Sequence, residues 1–396
     1  MEYQLSDRVN SIQPSPTLAV SQKANELKQQ GHDVIGLGVG EPDFDTPQFI
    51  KDAAVQAISD GKTKYTAVDG IDELKQAVVE KFKRDNQLDY QPDEVIVSSG
   101  GKHSIFNLLS AWLNPGDEVI IPAPYWVSYP DMTKLVGAEP VIVQAGIEQR
   151  FKITAEQLRA ALTDKTRLMF INSPSNPSGT AYSADELKAL AEVLREYPDV
   201  LIATDDMYEH ILWSENSFVN LPMVAPDLNQ RTVILSGVSK AYAMTGWRIG
   251  YAAGPKTIIA AMKKIQSQST SNPASISQHA AAAALSGDQS CIKTMVDEFK
   301  KRHDYLVDAL NSIDGVDCLE GDGTFYCFAH IEGLMAKAGV NSDVELCELL
   351  LTEAKVALVP GSAFGAEGYC RLSFATSMDI LKQAISRIRA FADALV

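Results

Sequence analysis

The chain lacks the features of a membrane protein and of a secreted, disulfide-bonded protein. Its 396 residues contain no apolar run near the roughly 18 residues that a spanning helix needs. The N-terminal residues Met1 to Arg8 are polar and lack the apolar core of a signal peptide. The five cysteines are odd in number and form no C-x-x-C pair, so we expect neither a disulfide framework nor a metal site. We therefore expect a cytoplasmic protein with reduced thiols and no membrane partner.

Positive charge is also scarce. Lysine and arginine number 35 against 51 aspartates and glutamates, so the net charge is −16 and the isoelectric point is near 4.8. This balance argues against nucleic acid as a partner, although a local basic pocket can still bind a small anion. A chain of 396 residues is too long for one small core and favours two domains.

A complete dinucleotide fingerprint is absent too. Residues 36–40 have three glycines at a superficially suitable spacing, but Glu41 stands where the last glycine belongs. The following residues, 42–47, contain two prolines and cannot start the helix that would receive a pyrophosphate. We therefore expect no nicotinamide site and interpret Gly40 as a position where the backbone approaches a ligand closely.

Short apolar segments alternate with helical patterns along most of the chain. The strand candidates are 33–37, 94–98, 118–121, 139–143, 167–171, 200–204 and 232–235. The helix candidates are 17–30, 46–60, 71–86, 103–113, 128–136 and 184–196. This alternation favours an α/β fold with a mostly parallel sheet covered by helices on both faces.

The pattern changes after Pro273. Its helix candidates are 274–285, 291–313, 342–354 and 378–395, with a strand candidate at 323–328. These elements favour a smaller α+β domain. We predict a large cofactor-binding domain over residues 48–290 and a small domain that combines residues 1–47 with 291–396.

Lys240 and Arg248 stand in a stretch of otherwise small and apolar residues that follows the strand candidate 232–235. Ligand sites of open α/β sheets lie at the carboxyl ends of such strands. Partly dry surroundings favour the free amine of a lysine, which can attack a carbonyl group. The alternative is a lysine that merely closes the strand.

Gly100, Gly101 and Lys102 lie between a strand candidate and a helix candidate. Backbone N–H groups at a helix N-terminus suit a phosphate. The segment is not a P-loop, because Ile96 occupies the place of that motif's first glycine. A plain glycine-rich turn is the alternative.

Two polar residues follow other strand candidates. Asn176, between turn-forming residues, can donate its amide to a phenolate oxygen, although such Asn-Pro segments are usually loops. Asp205 needs a partner if it is buried, and a protonated ring nitrogen is a suitable one. The alternative for Asp205 is a helix N-cap, a role that Asp206 serves equally well.

Three further residues have both a functional and a plain interpretation. Trp126 can stack on a flat ring, although a lone tryptophan is more often part of a core. Arg371 lies inside an apolar strand and must be paired, either with a ligand carboxylate or with an internal Asp or Glu. Tyr65 stands in a polar loop and reads as a tyrosine packed in a turn. Together the candidates describe a site for pyridoxal phosphate that handles an amino acid.

The sequence resembles the class I aminotransferases of fold type I, and most closely the bacterial aspartate aminotransferase subgroup that includes aspartate/prephenate enzymes. The resemblance runs nearly end to end, through residues 40–47, 100–102, 124–126, 176–179 and 239–248. It implies a homodimer that moves the amino group of L-aspartate or L-glutamate to a 2-oxo acid, through a Schiff base and a ping-pong cycle. Alternatives on the same fold are a prephenate or aromatic aminotransferase, or a pyridoxal phosphate β-lyase.

The resemblance also implies residue roles. Lys240 would form the Schiff base and move a proton between the substrate Cα and the cofactor C4′. The other implied cofactor contacts are Arg248 with the backbone of Gly100, Gly101 and Lys102 at the phosphate, Tyr65 of the neighbouring subunit, Asp205 at the ring nitrogen, Tyr208 and Asn176 at the ring oxygen, and Trp126 on the ring face. The implied substrate contacts are Arg371, Gly40 and Asn176 for the α-carboxylate, Lys102 for the side-chain carboxylate, and Trp126.

The sequence departs from the family pattern at one position. Many relatives carry a phosphate-binding serine three residues before the lysine, where this chain has Gly237. Ser236 or Ser239 substitutes for it, or the contact is absent. We also expect residues 14–17 to form a mobile lid near the entrance of the site.

Overall fold

The computed structural model describes residues 3–14, 16–214 and 217–395. Its strands are β1 (Ile35–Gly36), β2 (Val95–Ser98), β3 (Glu118–Ala123), β4 (Glu139–Gln144), β5 (Thr166–Asn172), β6 (Leu201–Asp205), β7 (Thr232–Gly237), β8 (Gly250–Ala253), β9 (Asp317–Cys318), β10 (Tyr326–His330), β11 (Val356–Ala357), β12 (Val359–Pro360) and β13 (Tyr369–Ser373). Its helices are α1 (Asp7–Asn10), α2 (Pro16–Gln29), α3 (Gln48–Ser59), α4 (Asp72–Lys81), α5 (Gly101–Trp112), α6 (Ser128–Leu135), α7 (Ala155–Ala161), α8 (Ala184–Arg195), α9 (Leu221–Val224), α10 (Lys256–Ser267), α11 (Ser275–Ser286), α12 (Ser290–Asn311), α13 (Glu332–Ala338), α14 (Asp343–Thr352) and α15 (Met378–Asp393).

Seven strands form the central sheet in the order β2-β8-β7-β6-β5-β3-β4. Strands β3, β4, β5, β6 and β7 are parallel to one another, whereas β8 runs antiparallel to both β2 and β7. The prediction of a mostly parallel sheet is confirmed. Strand β8 was not predicted, because its glycine and alanines carry little of the β-branched signal that marks the other strands.

The central strands are apolar on both faces. Along β2, Val95 and Val97 pack in one cluster with Leu74 of α4, whereas Ile96 packs in another with Leu108 of α5. All four residues of β2 and all six residues of β7 are buried. This pattern is expected of a sheet enclosed between two helical layers.

A second sheet has the antiparallel order β12-β13-β10-β9, and β1 pairs in parallel with β11. The core that packs against this second sheet contains Phe299 of α12, Leu372 of β13 and Ile385 of α15. Ile35 and Leu37 from the N-terminal segment belong to the same cluster. The N-terminal segment therefore shares a core with the last hundred residues.

No helix within the three described ranges is long and apolar enough to cross a membrane. In the same residues, no group of three or more His, Cys, Asp or Glu side chains is arranged to hold a metal ion.

Candidate active site

A cavity of about 350 Å³ lies at the carboxyl ends of the central strands. Strand register places Asn172 of β5 beside Asp205 of β6, and Asp205 beside Leu235 of β7, so residues that follow these strands converge. Side chains from β10 and β13 complete the wall. The predicted site residues that line the cavity are Gly40, Gly101, Lys102, Trp126, Asn176, Asp205, Tyr208, Lys240, Arg248 and Arg371.

Lys240 follows β7 and reaches across to the N-terminal segment. Its Nζ donates a hydrogen bond to the Gly40 carbonyl oxygen at 2.6 Å. Burial and the Arg371 guanidinium lower the pKa of Lys240 to about 8, while the Glu41 carboxylate opposes them. A large share of this lysine is therefore a neutral amine near pH 8, unlike a lysine that merely ends a strand.

Asp205 is buried at the end of β6 and receives two hydrogen bonds. The Tyr129 hydroxyl donates to Oδ2 at 2.5 Å, and the Met207 N–H donates to Oδ1 at 3.3 Å. Burial raises the pKa of this carboxyl, and the Tyr129 hydrogen bond partly opposes that rise. The N-cap alternative is not met, since the next helix in the described chain begins at Leu221 and is capped by Asn220.

Arg371 lies in β13 with its guanidinium buried. Nη1 donates to Asn176 Oδ1 at 2.8 Å, and Nη2 donates to the Gly38 carbonyl oxygen at 2.7 Å. Nε has no hydrogen-bond partner among the described residues, and no Asp or Glu there forms an ion pair with this arginine. The internal-carboxylate alternative therefore fails for the described chain, and the positive charge remains for a ligand.

Gly40 and Tyr208 both meet Tyr326 of β10. The Tyr208 and Tyr326 hydroxyls lie 3.0 Å apart in a hydrogen bond, and burial raises the pKa of Tyr208 well above its usual range. A Cβ at Gly40 would come within 2.5 Å of the Tyr326 hydroxyl oxygen, which explains why this position needs glycine. Tyr208 therefore stays a neutral donor at the cavity wall.

The glycine turn before α5 packs directly against Arg248. Gly100 has φ +93°, and a Cβ there would lie 2.2 Å from Arg248 Nη2. The Arg248 Nη1 donates to the Thr245 carbonyl oxygen at 2.7 Å. The N–H groups of Gly101 and Lys102 have no acceptor among the described residues. A guanidinium beside free N–H groups at a helix start is a donor set that fits a phosphate.

Gly237 is the last residue of β7 and pairs with Gly250. A Cβ there would meet the Gly250 Cα and the Ile249 carbonyl oxygen at 3.1 Å, so a serine would crowd the backbone of β8. Ser236 Oγ donates to the buried Glu209 at 3.3 Å, whereas Ser239 lines the cavity. Of the two serines considered, only Ser239 is placed to face a ligand.

Residues 32–388 match the aminotransferase class I and II family. The chain belongs to this family. An aspartate/prephenate aminotransferase of Nitrosomonas europaea is 59% identical over 390 residues, which cover 97% of this chain and 98% of that protein. The crystal structure of an aspartate aminotransferase from Rhizobium meliloti has a TM-score of 0.96 at 48% identity and covers 99% of both chains. One from Thermus thermophilus with maleate has a TM-score of 0.92 at 42% identity, covering 98% and 100%.

These similarities confirm the family and the fold predicted from the sequence. The protein is an aminotransferase, and its family implies dependence on pyridoxal phosphate. The N–H groups of Gly101 and Lys102 beside Arg248 fit the phosphate of that cofactor, and the charge of Arg371, which no carboxylate of the described chain neutralises, fits an amino acid carboxylate.

Lys102 and Trp126 form one side of the aminotransferase cavity. The Lys102 Nζ lies 5.0 Å from the centre of the Trp126 ring. Partial burial and the Arg248 guanidinium lower the pKa of Lys102. No acidic side chain in the described part of the chain forms an ion pair with Lys102. Like Arg371, it presents an unneutralised charge to the cavity.

Two predicted site residues, Gly100 and Tyr65, do not line the cavity of their own chain. Gly100 lies against the Arg248 guanidinium, whereas Tyr65 is 91% exposed on the loop between α3 and α4. The interpretation as a tyrosine packed in a turn is therefore wrong. Thr17 of the predicted lid lines the cavity, whereas Ser15 lies outside the described residues.

Sequence reasoning missed Tyr129, the hydrogen-bond donor to Asp205. Its ring stacks on Phe170 at 4.3 Å between centroids and 12° between planes. Within α6 it is an ordinary buried aromatic residue, and no motif distinguishes it from a core tyrosine. Tyr326 was also missed, because residues 323–328 were predicted only as a strand and no site role was assigned to them.

Proposed function

We propose that this aminotransferase moves the amino group of L-aspartate or L-glutamate to a 2-oxo acid in a ping-pong cycle with pyridoxal phosphate. The observation that carries the proposal is a pair of cations in one cavity, Arg371 and Lys102, neither paired with a carboxylate of the described chain. Two separate positive charges match the two carboxylates of these substrates. Aspartate aminotransferase is also the name of similar proteins.

Residues of this cavity would hold the cofactor, together with Tyr65 of a second subunit. Arg248, Ser239 and the N–H groups of Gly101 and Lys102 would bind its phosphate, and Gly100 makes room for Arg248. Asp205 would bind the ring nitrogen, Trp126 would cover the ring face, and Tyr208 and Asn176 would donate to the ring oxygen. Asn176 is suited to donate because its Oδ1 already accepts from Arg371, which leaves Nδ2 for another oxygen. When bound, pyridoxal phosphate supplies an electron-withdrawing ring.

Lys240 would hold the cofactor, and its amine would move the proton at the substrate Cα. A base must be neutral before it accepts a proton, and the lowering of the Lys240 pKa to about 8 makes the neutral amine available. Arg371, with Gly40 and Asn176 beside it, binds the α-carboxylate and so fixes the Cα–H bond toward the amine. Lys102 binds the side-chain carboxylate.

We further propose a homodimer in the cytoplasm. The side chain of Tyr65 is 91% exposed in the single chain. In a dimer, Tyr65 would bind the phosphate of the cofactor in the second subunit. The predicted domains, 48–290 and 1–47 with 291–396, remain part of the proposal. The shared core of Ile35 and Leu37 with the C-terminal helices supports that division.

A second candidate substrate is prephenate. The similar protein of Nitrosomonas europaea is named an aspartate/prephenate aminotransferase. The cavity wall also carries apolar surface, from Ile105, Val127 and Trp126, that suits a ring.

Separate half-reactions test the function. The purified yellow protein is mixed with aspartate, glutamate, phenylalanine or tyrosine, and conversion of the cofactor to its amine form is followed by visible absorption. Aspartate and glutamate should convert it fastest, and 2-oxo acids, prephenate included, should restore the colour. Pyruvate release from β-substituted amino acids would instead indicate a β-lyase. Lys240→Ala should abolish turnover and the visible band, and an unchanged spectrum would refute the mechanism.

A further inference from the structure

Gln266, near the end of α10, uses every hydrogen-bonding position of its side chain. Its Oε1 accepts from Ser98 Oγ at 2.7 Å and from Asn107 Nδ2 at 2.8 Å. Its Nε2 donates to the carbonyl oxygens of Val97 at 2.8 Å and Val68 at 2.6 Å. The side chain is fully buried, so each of these bonds replaces one that water would otherwise make.

The two acceptor bonds hold the proposed phosphate site. Ser98 ends β2 and its carbonyl oxygen accepts from the N–H of Gly100 at 2.7 Å. Asn107 lies in α5, the helix that begins at Gly101. Gln266 thus fixes the strand end and the helix that flank the glycine turn.

The donor bond to Val68 holds the loop that carries Tyr65. The same loop is fixed by Gln278 of α11, whose Oε1 accepts from the Ile71 N–H at 2.7 Å and whose Nε2 donates to Thr66 Oγ1 at 3.0 Å. Buried amides thus fix the loop at three positions just after Tyr65, which restricts where Tyr65 lies although its side chain is exposed.

We propose that Gln266 is a positioning residue that joins the phosphate-binding turn of its own subunit to the Tyr65 loop that serves the neighbouring subunit. One side chain then shapes both active sites of the dimer. This inference rests on the proposed cofactor site and on the proposed crossing of Tyr65. Gln278 bonds the loop and not the turn, whereas Ser98 ends the strand before the turn and bonds Gln266 on its acceptor side only, so each provides a control for one side of the connection.

Hybrid dimers separate the two effects. Two differently tagged chains are co-expressed, and one carries Lys240→Ala, so that only the other chain's site gives the visible band of the bound cofactor. Cofactor titration of that band measures the Kd of a single site. The second substitution is placed in one of the two chains. In the chain with Lys240, it alters the phosphate-binding turn of the observed site. In the Lys240→Ala chain, it alters the Tyr65 loop that reaches the observed site from the neighbouring subunit.

Gln266→Met removes all four side-chain hydrogen bonds and should raise the Kd about tenfold in both arrangements, as much as losing one hydrogen bond to the phosphate at each site. Ser98→Ala should act only from the chain with Lys240, and Gln278→Met only from the opposite chain. Gln266→Asn, one methylene shorter, gives the same pattern if the methionine variant does not fold. An effect of Gln266 in one arrangement alone, or in neither, overturns the inference.

Tyr65→Phe distinguishes failure of the inference from failure of the proposed function. It should weaken cofactor binding only when it is in the Lys240→Ala chain. If it acts from the chain with Lys240 or has no effect, the crossing itself is refuted and the inference falls with it. If it acts across as expected while Gln266→Met does not, only the inference is refuted.

Discussion

Replacing Lys240 by methionine should stabilise the apoprotein at neutral pH. Burial and Arg371 lower the pKa of Lys240 from the usual 10.5 to about 8. At about 1.36 kcal/mol per pKa unit, this lowering corresponds to roughly 3 kcal/mol of destabilisation when the lysine is charged. Lys240→Met also loses the hydrogen bond to Gly40, which contributes about 1 kcal/mol. The net gain for the variant is about 2 kcal/mol.

The pH dependence follows from the sign of the change. The folded-state pKa lies below the unfolded-state pKa, so between about pH 8 and 10.5 the unfolded chain binds more protons at Lys240 than the folded chain does. The penalty is therefore complete below about pH 8 and disappears as the pH approaches 10.5. The stability advantage of Lys240→Met should be present at pH 7 and largely lost at pH 10.

Urea unfolding of the apoproteins at the two pH values measures the difference. Lys62→Met, at an exposed lysine, is the matched control and should differ from the unsubstituted chain by less than about 0.5 kcal/mol at either pH. A Lys240→Met variant that is no more stable at pH 7, or that keeps the same advantage at pH 10, would show that the lysine carries no burial penalty.

Three further outcomes test the site. Tyr129→Phe removes a hydrogen-bond donor from Asp205 and so raises the pKa of that carboxyl. It should weaken cofactor binding about tenfold, and more at lower pH, where Asp205 is more often protonated. A cofactor Kd that the substitution leaves unchanged contradicts the proposed contact between Asp205 and the ring nitrogen. Lys102→Ser should raise KM for aspartate about tenfold more than KM for phenylalanine, and equal effects in steady-state assays would remove Lys102 from substrate selection. Succinate should make the Lys240 penalty smaller and raise the pH at which it begins to fall, because its carboxylate offsets the field of Arg371; a stability difference between the unsubstituted chain and Lys240→Met that succinate leaves unchanged in the urea titrations argues against that coupling.

The sequence predicted the central sheet and much of the cavity because both depend on local signals. Apolar segments separated by helical patterns identify parallel strands, and residues that follow parallel strands must converge at one edge. Asn176, Asp205 and Lys240 were found on that ground and do line one cavity. Their proposed roles remain to be tested.

Other parts of the site depend on contacts that no local pattern records. Tyr129 reaches Asp205 across 76 positions of the chain, and its helix gives no sign of the partner. The crowding at Gly237 arises from its pairing with Gly250, in a strand too weakly β-branched to be predicted. The sequence could not show that no carboxylate of the described chain neutralises Arg371, because that depends on which residues surround it in the fold.

The local charge of the cavity is opposite to that of the whole chain, which is −16. The cavity is lined by four basic side chains, Lys102, Lys240, Arg248 and Arg371, and by two acidic ones, Glu41 and Asp205. Burial and Arg371 lower the pKa of Lys240, and burial and Arg248 lower the pKa of Lys102, so an arginine suited to bind an anion adds to the effect of burial at each lysine. A carboxylate bound at Arg371 offsets that field and raises the proton affinity of Lys240. In the proposed mechanism, the carboxylate that binds at Arg371 would therefore also make Lys240 a stronger base.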